Sequence, residues 1–72
     1  MLTDSQVKFL FSANVKRLLI EQGRTCYWLM VVTGENTNRI YPAVRGETNV
    51  TAGLAFRVAK ALGVTLDSLI RP

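Results

Sequence analysis

Apolar residues recur at helical spacing in the first third of the chain, and glycines divide the remainder into segments of helical length. Thr3-Asp4-Ser5-Gln6 reads as a capping box at the start of a helix. The apolar face that follows consists of Val7, Leu10, Phe11, Val15, Leu18 and Leu19. This spacing predicts an amphipathic helix of about five turns that ends at Gly23. The next three helices are predicted to end at Gly34, Gly46 and Gly63.

Residues that cap helices stand where each later helix would begin. These residues are Thr25, Asn36, Thr51 and Thr65. The second helix would run through Val32, and the last would be a short helix that reaches Ile70. The Val31-Val32-Thr33 run favours a strand locally, but an isolated strand has nothing to pair with here. The sequence therefore predicts an all-α fold of five helices, in one domain that covers residues 1–72.

The charge balance favours an anionic partner. Nine Lys and Arg stand against five Asp and Glu, which gives a formal net charge of +4. Nucleic acid suits this balance better than a membrane surface, because the first helix also carries acids such as Glu21 on its polar face. No apolar run approaches the roughly 18 residues that span a bilayer, and the polar N-terminus does not fit a secretory signal. We therefore expect a cytoplasmic protein with no membrane partner.

The inventory of reactive side chains argues against an enzyme. Cys26 is the single cysteine and there is no histidine, so neither a disulfide within a monomer nor the usual structural zinc site is available. The sequence also has no paired carboxylate motif, no phosphate loop and no nucleophile beside a base. We expect no cofactor, no metal and no small-molecule substrate. Redox sensing by Cys26 at a helix start is an alternative to its being an ordinary small residue.

The order of the helices and the closing run FRVAKALGVTLDSLI resemble the lambda-repressor-like (Cro/XRE) helix-turn-helix family. In that run an apolar-Ala-Lys-Ala-Leu-Gly-Val unit precedes a Leu-Asp-x-Leu helix. The interval from Gly34 to Gly46 is similar to the family's spacing from the turn glycine to the glycine after the recognition helix. The family's Leu-Ala, buried Ile and frequent Asn correspond to Leu29-Met30, Ile40 and Asn49. The resemblance extends from about Phe11 to Ile70 and implies a compact five-helix DNA-binding domain.

Two features depart from the family pattern. Leu19 and Val44 stand where the family commonly has an Arg–Glu pair, so a hydrophobic contact would replace a partly buried ion pair. Pro42 would lie in the second turn of the recognition helix if Asn36 caps that helix. There it cannot donate to the carbonyl of Asn38 and crowds it, at a cost of about 3 kcal/mol in a regular helix. Either the helix is kinked at the proline or it begins later.

The resemblance also implies which residues would contact DNA. The base-reading positions of the family register are Asn36, Thr37, Asn38 and Tyr41. The phosphate contacts would come from Arg39, Arg45, Thr48 and Arg24. For Asn36 the alternative is a role as a helix cap only, and for each arginine it is an ordinary solvated side chain. Glu35 is unfavourable next to a polyanion, and we expect it to interact with the positive end of the helix dipole.

The second helix is more apolar than is usual at the same positions of the family. We expect Val32 and one aromatic residue to join the core around Phe9 and Phe11. Trp28 and Val31 would then remain as an apolar patch for a partner. Because operators read by this fold are usually two-fold symmetric, the partner predicted for this patch is a second copy of the chain in a homodimer.

The resemblance thus predicts a sequence-specific transcriptional regulator, a Cro-like repressor of phage type that binds double-stranded operator DNA through the major groove. The alternative is a protein-binding module on the same scaffold, an antitoxin or anti-repressor with little affinity for DNA. Pro42 in the reading helix, Glu35 beside it and the surplus of apolar residues favour the alternative somewhat.

Overall fold

The computed structural model describes residues 2–72, which form helices joined by short connections. The helices are α1 (Asp4–Glu21), α2 (Cys26–Thr33), α3 (Thr37–Arg45), α4 (Ala52–Leu62) and α5 (Leu66–Leu69). These residues contain no strand, and the Val31-Val32-Thr33 run is helical. The prediction of an all-α fold with five helices is therefore confirmed. No helix within this range is both long and apolar enough to cross a membrane.

The predicted capping residues stand immediately before the first residues of the helices. Thr3 Oγ1 accepts from the Gln6 amide at 3.1 Å, and Gln6 Oε1 accepts from the Thr3 amide at 2.8 Å, so both halves of the capping box are present. Thr25, Asn36, Thr51 and Thr65 each accept a hydrogen bond from the amide three residues later. These bonds satisfy amides that have no partner inside the helix.

The core lies at the junction of all five helices. α1 packs against α3 and α5, α2 packs against α3 and α4, and α4 packs against α5. The largest fully buried side chains are Phe11, Val15, Leu29, Ile40, Val58 and Leu69. Leu19 and Val44 are 6% and 5% exposed and belong to the same core cluster, as the predicted replacement of an ion pair requires.

Polar side chains of α1 and of Gln22, the residue that follows it, bind the carboxyl ends of α3, α4 and α5. The buried Ser12 donates from Oγ to the Val44 carbonyl of α3 at 2.6 Å. Asn14 Nδ2 donates to the Leu69 carbonyl of α5 at 2.9 Å, and Gln22 Nε2 donates to the Leu62 carbonyl of α4, also at 2.9 Å. Carbonyls at a helix end have no partner in their own helix. α1 therefore fixes three helices through hydrogen bonds as well as through apolar contacts.

Pro42 lies inside α3, which stays helical on both sides of it. The helix begins at Thr37 with Asn36 as its cap, so the alternative of a later start is wrong. Because Pro42 has no N–H, the carbonyl of Asn38 lacks its helical donor. Asn38 is exposed, and water can supply the missing hydrogen bond.

Two apolar residues assigned to the core region are exposed. Phe9 is 71% exposed because it lies about 200° round α1 from the buried Phe11. Val32 is 47% exposed, and it lines an open groove between α2 and α4 beside Arg57 and Lys60. The assignment of Val32 to the core is wrong, because the neighbouring surface of α4 is polar at this point.

Candidate nucleic-acid interface

The first turn of α3 presents three exposed side chains in succession, Thr37, Asn38 and Arg39. The next residue, Ile40, is 0% exposed and anchors this turn in the core. Successive residues of a helix are about 100° apart, so burial of Ile40 turns the preceding residues outward. The cap Asn36 is exposed too, but its Oδ1 accepts from the Arg39 amide at 3.1 Å.

Tyr41 is less exposed than the residues of the first turn of α3. Its side chain is half-buried and packs against the core cluster, and Pro42 is half-buried as well. Tyr41, predicted as a base-reading residue, is thus only partly accessible, because the buried face of α3 extends from Ile40 to this residue. The structure thus brings Asn36, Thr37 and Asn38 together on the outer surface and leaves Tyr41 at its edge.

Arg45 and Thr48 lie exposed at the end of α3 and in the connection that follows. Arg45 Nε donates to Glu47 Oε2 at 2.9 Å, and its second contact, from Nη2 to Glu47 Oε1, measures 3.3 Å. Both side chains of this pair remain more than half exposed, at 54% and 57%. Arg45 is therefore paired but accessible, so a phosphate could still reach the guanidinium.

Cys26 is the first residue of α2. Burial raises the pKa of the Cys26 thiol, and the positive charge of Arg45 opposes that shift. A raised pKa is the opposite of what a reactive thiolate requires, so the structure does not favour redox sensing by Cys26. Within residues 2–72, no group of three potential ligands could hold a metal ion.

Arg24 stacks on an aromatic ring instead of standing free. Its guanidinium carbon lies 4.0 Å from the centroid of the Trp28 ring, a cation–π contact at the start of α2. Trp28 is half-buried against the core, whereas Tyr27 and Val31 are 62% and 57% exposed. Tyr27 and Val31 are four residues apart and therefore share a face of the helix. Tyr27 and Val31 form the exposed apolar strip on this face of α2, and Trp28, which the prediction placed in the patch with Val31, is less exposed than either.

The sequence analysis missed an ion-pair cluster at the connection between α2 and α3. The side chain of Glu35 is 9% exposed, and Oε1 lies 3.5 Å from Arg39 Nε. Its other oxygen, Oε2, accepts from Arg57 Nη2 of α4. The pairing with Arg39 could have been read from the spacing of four residues. Arg57 is 22 positions from Glu35, and no local pattern indicates that contact.

The surface around α3 carries an excess of positive charge. Its arginines are Arg39, Arg45 and Arg57, and its acids are Glu35 and Glu47. All three arginines are exposed, whereas Glu35 is almost covered. The accessible part of this surface is therefore more basic than the sequence alone indicates, which favours an anionic partner.

Comparison of the chain with family models gives no match, and comparisons with curated proteins and with solved structures give none either. Function must therefore be inferred from the exposed turn of α3 and from the arginines that surround it.

Proposed function

We propose that the protein is a sequence-specific DNA-binding regulator that uses α2 and α3 as a helix-turn-helix of the lambda-repressor-like type. The exposed first turn of α3, held from beneath by the fully buried Ile40, is the observation that carries the proposal. Such a turn can enter the major groove and present side chains to base edges. Asn38 can form paired hydrogen bonds with adenine, and Thr37 offers a hydroxyl or a methyl group to a base.

The surrounding side chains suit contacts to the DNA backbone. Arg39 and Arg45 flank the reading turn, and Arg24 and Thr48 lie at the adjacent helix start and loop. Phosphate contacts of this kind position a protein without reading sequence. We propose that the protein acts as a Cro-like repressor and binds its operator as a homodimer, since a two-fold operator requires two reading turns.

The direct test is binding to DNA over a range of salt concentrations. Fluorescence anisotropy with a random-sequence duplex should give an affinity whose logarithm falls linearly with the logarithm of the salt concentration. Selection from random DNA should then yield a sequence bound about a thousandfold more tightly or better. No salt-dependent binding and no selected sequence would contradict the proposal.

The second candidate is a protein-binding module on the same scaffold. The exposed Tyr27 and Val31 on α2 favour it, because an exposed apolar strip suits a protein partner. This candidate predicts negligible binding to random DNA at any salt concentration. The salt titration therefore separates the two proposals.

Asn38→Ala is expected to weaken binding to the selected sequence by about 1–3 kcal/mol, because paired hydrogen bonds to one base are lost. Affinity for random DNA should stay unchanged, since the exposed side chain makes no phosphate contact in this proposal. Anisotropy titrations with both duplexes measure the two affinities side by side. An equal loss on both duplexes would show that Asn38 does not read a base.

Arg45→Ala should lower the affinity for all sequences alike and reduce the slope of the salt dependence by about 0.9, the value for one phosphate contact on B-DNA. Arg17→Ala is a closely matched control. Arg17 is 53% exposed and pairs with Glu21 at 2.9 Å, and Arg45 is 54% exposed and pairs with Glu47 at the same distance. Both variants lose one charge, but the slope should fall only for Arg45→Ala. A loss confined to the selected sequence would overturn this assignment.

A further inference from the structure

The pair between Glu35 and Arg57 differs from every other ion pair among residues 2–72, because it joins two distant parts of the chain. The other pairs join residues two or four positions apart: Arg17–Glu21, Glu35–Arg39, Arg45–Glu47 and Asp67–Arg71. Glu35 immediately precedes the cap of α3, and Arg57 lies in the middle of α4. This contact therefore ties the start of α3 to α4.

Burial distinguishes the acid of this contact from the acids of the surface ion pairs. The Glu35 side chain is 9% exposed, whereas the acids of the three pairs that do not involve Glu35 are at least 55% exposed. A carboxylate withdrawn from water is costly unless partners satisfy it. Glu35 has one arginine for each oxygen, Arg57 for Oε2 and Arg39 for Oε1. Any movement of the start of α3 away from α4 would expose the carboxylate or leave it with a single partner.

The first turn of α3 has few other attachments. The buried residues of this helix are Ile40, at the end of the first turn, and Ala43 and Val44 beyond it. Pro42 also removes the hydrogen bond that would join the second turn to Asn38. The turn is thus held by the cap of Asn36, by Ile40 at its far end, and by Glu35 at its near end.

We infer that Glu35 is a positioning residue for base reading, which fixes the angle of the first turn of α3 against α4 through Arg57. In this role Arg57 supports the first turn of α3 because it holds the Glu35 carboxylate in place. The inference rests on the proposed function, because an angle matters to reading only if the turn enters a groove. Discrimination between DNA sequences would then depend on the Glu35 carboxylate. DNA would repel this carboxylate if it were exposed.

The anchoring role can be tested without DNA, by amide hydrogen exchange measured with NMR. The amides of Arg39 and Ile40 both donate to the Asn36 carbonyl, at 3.1 and 3.0 Å, and report on the first turn of α3. In Glu35→Gln these amides should exchange about tenfold faster or more, because a charge-assisted hydrogen bond is lost. The amide of Val7, which donates to the Thr3 carbonyl at 2.9 Å in the first turn of α1, opens locally and should keep its rate. Glu21→Gln removes the same charge from an exposed pair and should leave all three amides unchanged.

The reading role is tested by the ratio of affinities for selected and random DNA. Glu35→Gln should reduce this ratio about tenfold, as a mismatched base pair does, with little change in affinity for random DNA. Arg57→Met should also reduce the ratio about tenfold, whereas Lys60→Met removes an equal charge from the same helix and should keep the ratio. Arg57→Lys retains a positive charge on α4 and should recover part of the lost ratio, which separates pairing from mere packing.

Each result decides a different point. A wild-type protein that discriminates between sequences, with Glu35→Gln matching it in both exchange and ratio, would overturn the positioning role alone. A wild-type protein that does not discriminate would refute the proposal of DNA reading, and with it any part of Glu35 in reading. Faster exchange at every amide, including that of Val7, would show a change spread over the whole fold instead of a local anchor and would also overturn the inference.

Discussion

Ile40→Ala is expected to lower the free energy of unfolding by about 2–5 kcal/mol, the usual cost of truncating a buried aliphatic side chain to alanine. Ile40 is 0% exposed and lies at the centre of the face that α3 turns toward α1 and α2. Domains are stable by only about 5–15 kcal/mol, so this single loss would remove a large part of the total. Urea denaturation followed by circular dichroism measures the change.

Ile20→Ala provides a control with the same change of side chain. Ile20 is 80% exposed on α1, and its truncation should alter the stability by no more than about 0.5 kcal/mol. The DNA-binding proposal adds a second expectation, namely that Ile40→Ala loses affinity for the selected sequence under conditions in which it is still folded. Equal stability of the two variants would mean that the reading turn is not supported from beneath in the way the structure indicates.

Helix boundaries could be predicted from the sequence because capping is a local interaction. Thr3 and Gln6 are three residues apart, and their reciprocal hydrogen bonds depend on nothing outside that turn. The same applies to Thr51, which accepts from the Leu54 amide at 3.2 Å. Each boundary is encoded within four residues, so the number of helices and their order followed from these positions.

Burial between helices could be predicted only where both residues of the family's ion pair are apolar in this chain. Leu19 and Val44 were expected to form a hydrophobic substitute for an ion pair, and both are buried. Val32 was assigned to the core, but its exposure depends on the polar surface of α4 opposite it. The sequence of α2 does not indicate which residues of α4 lie against this helix. The hydrogen bond from Ser12 to the Val44 carbonyl spans 32 positions and had no signal in the sequence.

In the candidate site, too, local features could be predicted from the sequence and contacts between distant residues could not. The resemblance placed Thr37 and Asn38 at the outer surface, and the burial of Ile40 in the same turn accounts for their exposure. The pairing of Arg57 with Glu35 depends on how α4 lies against the start of α3, which spacing does not specify. The residues that would touch DNA could therefore be named from the sequence, whereas the residues that hold them in place required the structure.

Gly46→Ala is expected to destabilise the protein by about 2–4 kcal/mol, because backbone strain and crowding act at the same position. Gly46 has a φ of +76°, in the left-handed region that costs an L-residue about 1–2 kcal/mol. A Cβ atom at this position would also lie 3.2 Å from both Cβ and Oγ of Ser12. Ser12 is buried and donates to the Val44 carbonyl, so it cannot move away without loss of that bond. Denaturant unfolding gives the magnitude.

Gly63→Ala separates the two causes. Gly63 has nearly the same φ, +73°, but a Cβ atom there would meet nothing within 4 Å. Its substitution should therefore cost only the backbone strain, about 1–2 kcal/mol, and the additional loss at Gly46 measures the crowding against α1. If the two variants were equally stable, α1 and the end of α3 would be packed more loosely than the structure indicates. The hydrogen bond from Ser12 would then not fix the carboxyl end of α3, and Arg45 would lack the rigid base from which we expect it to contact a phosphate.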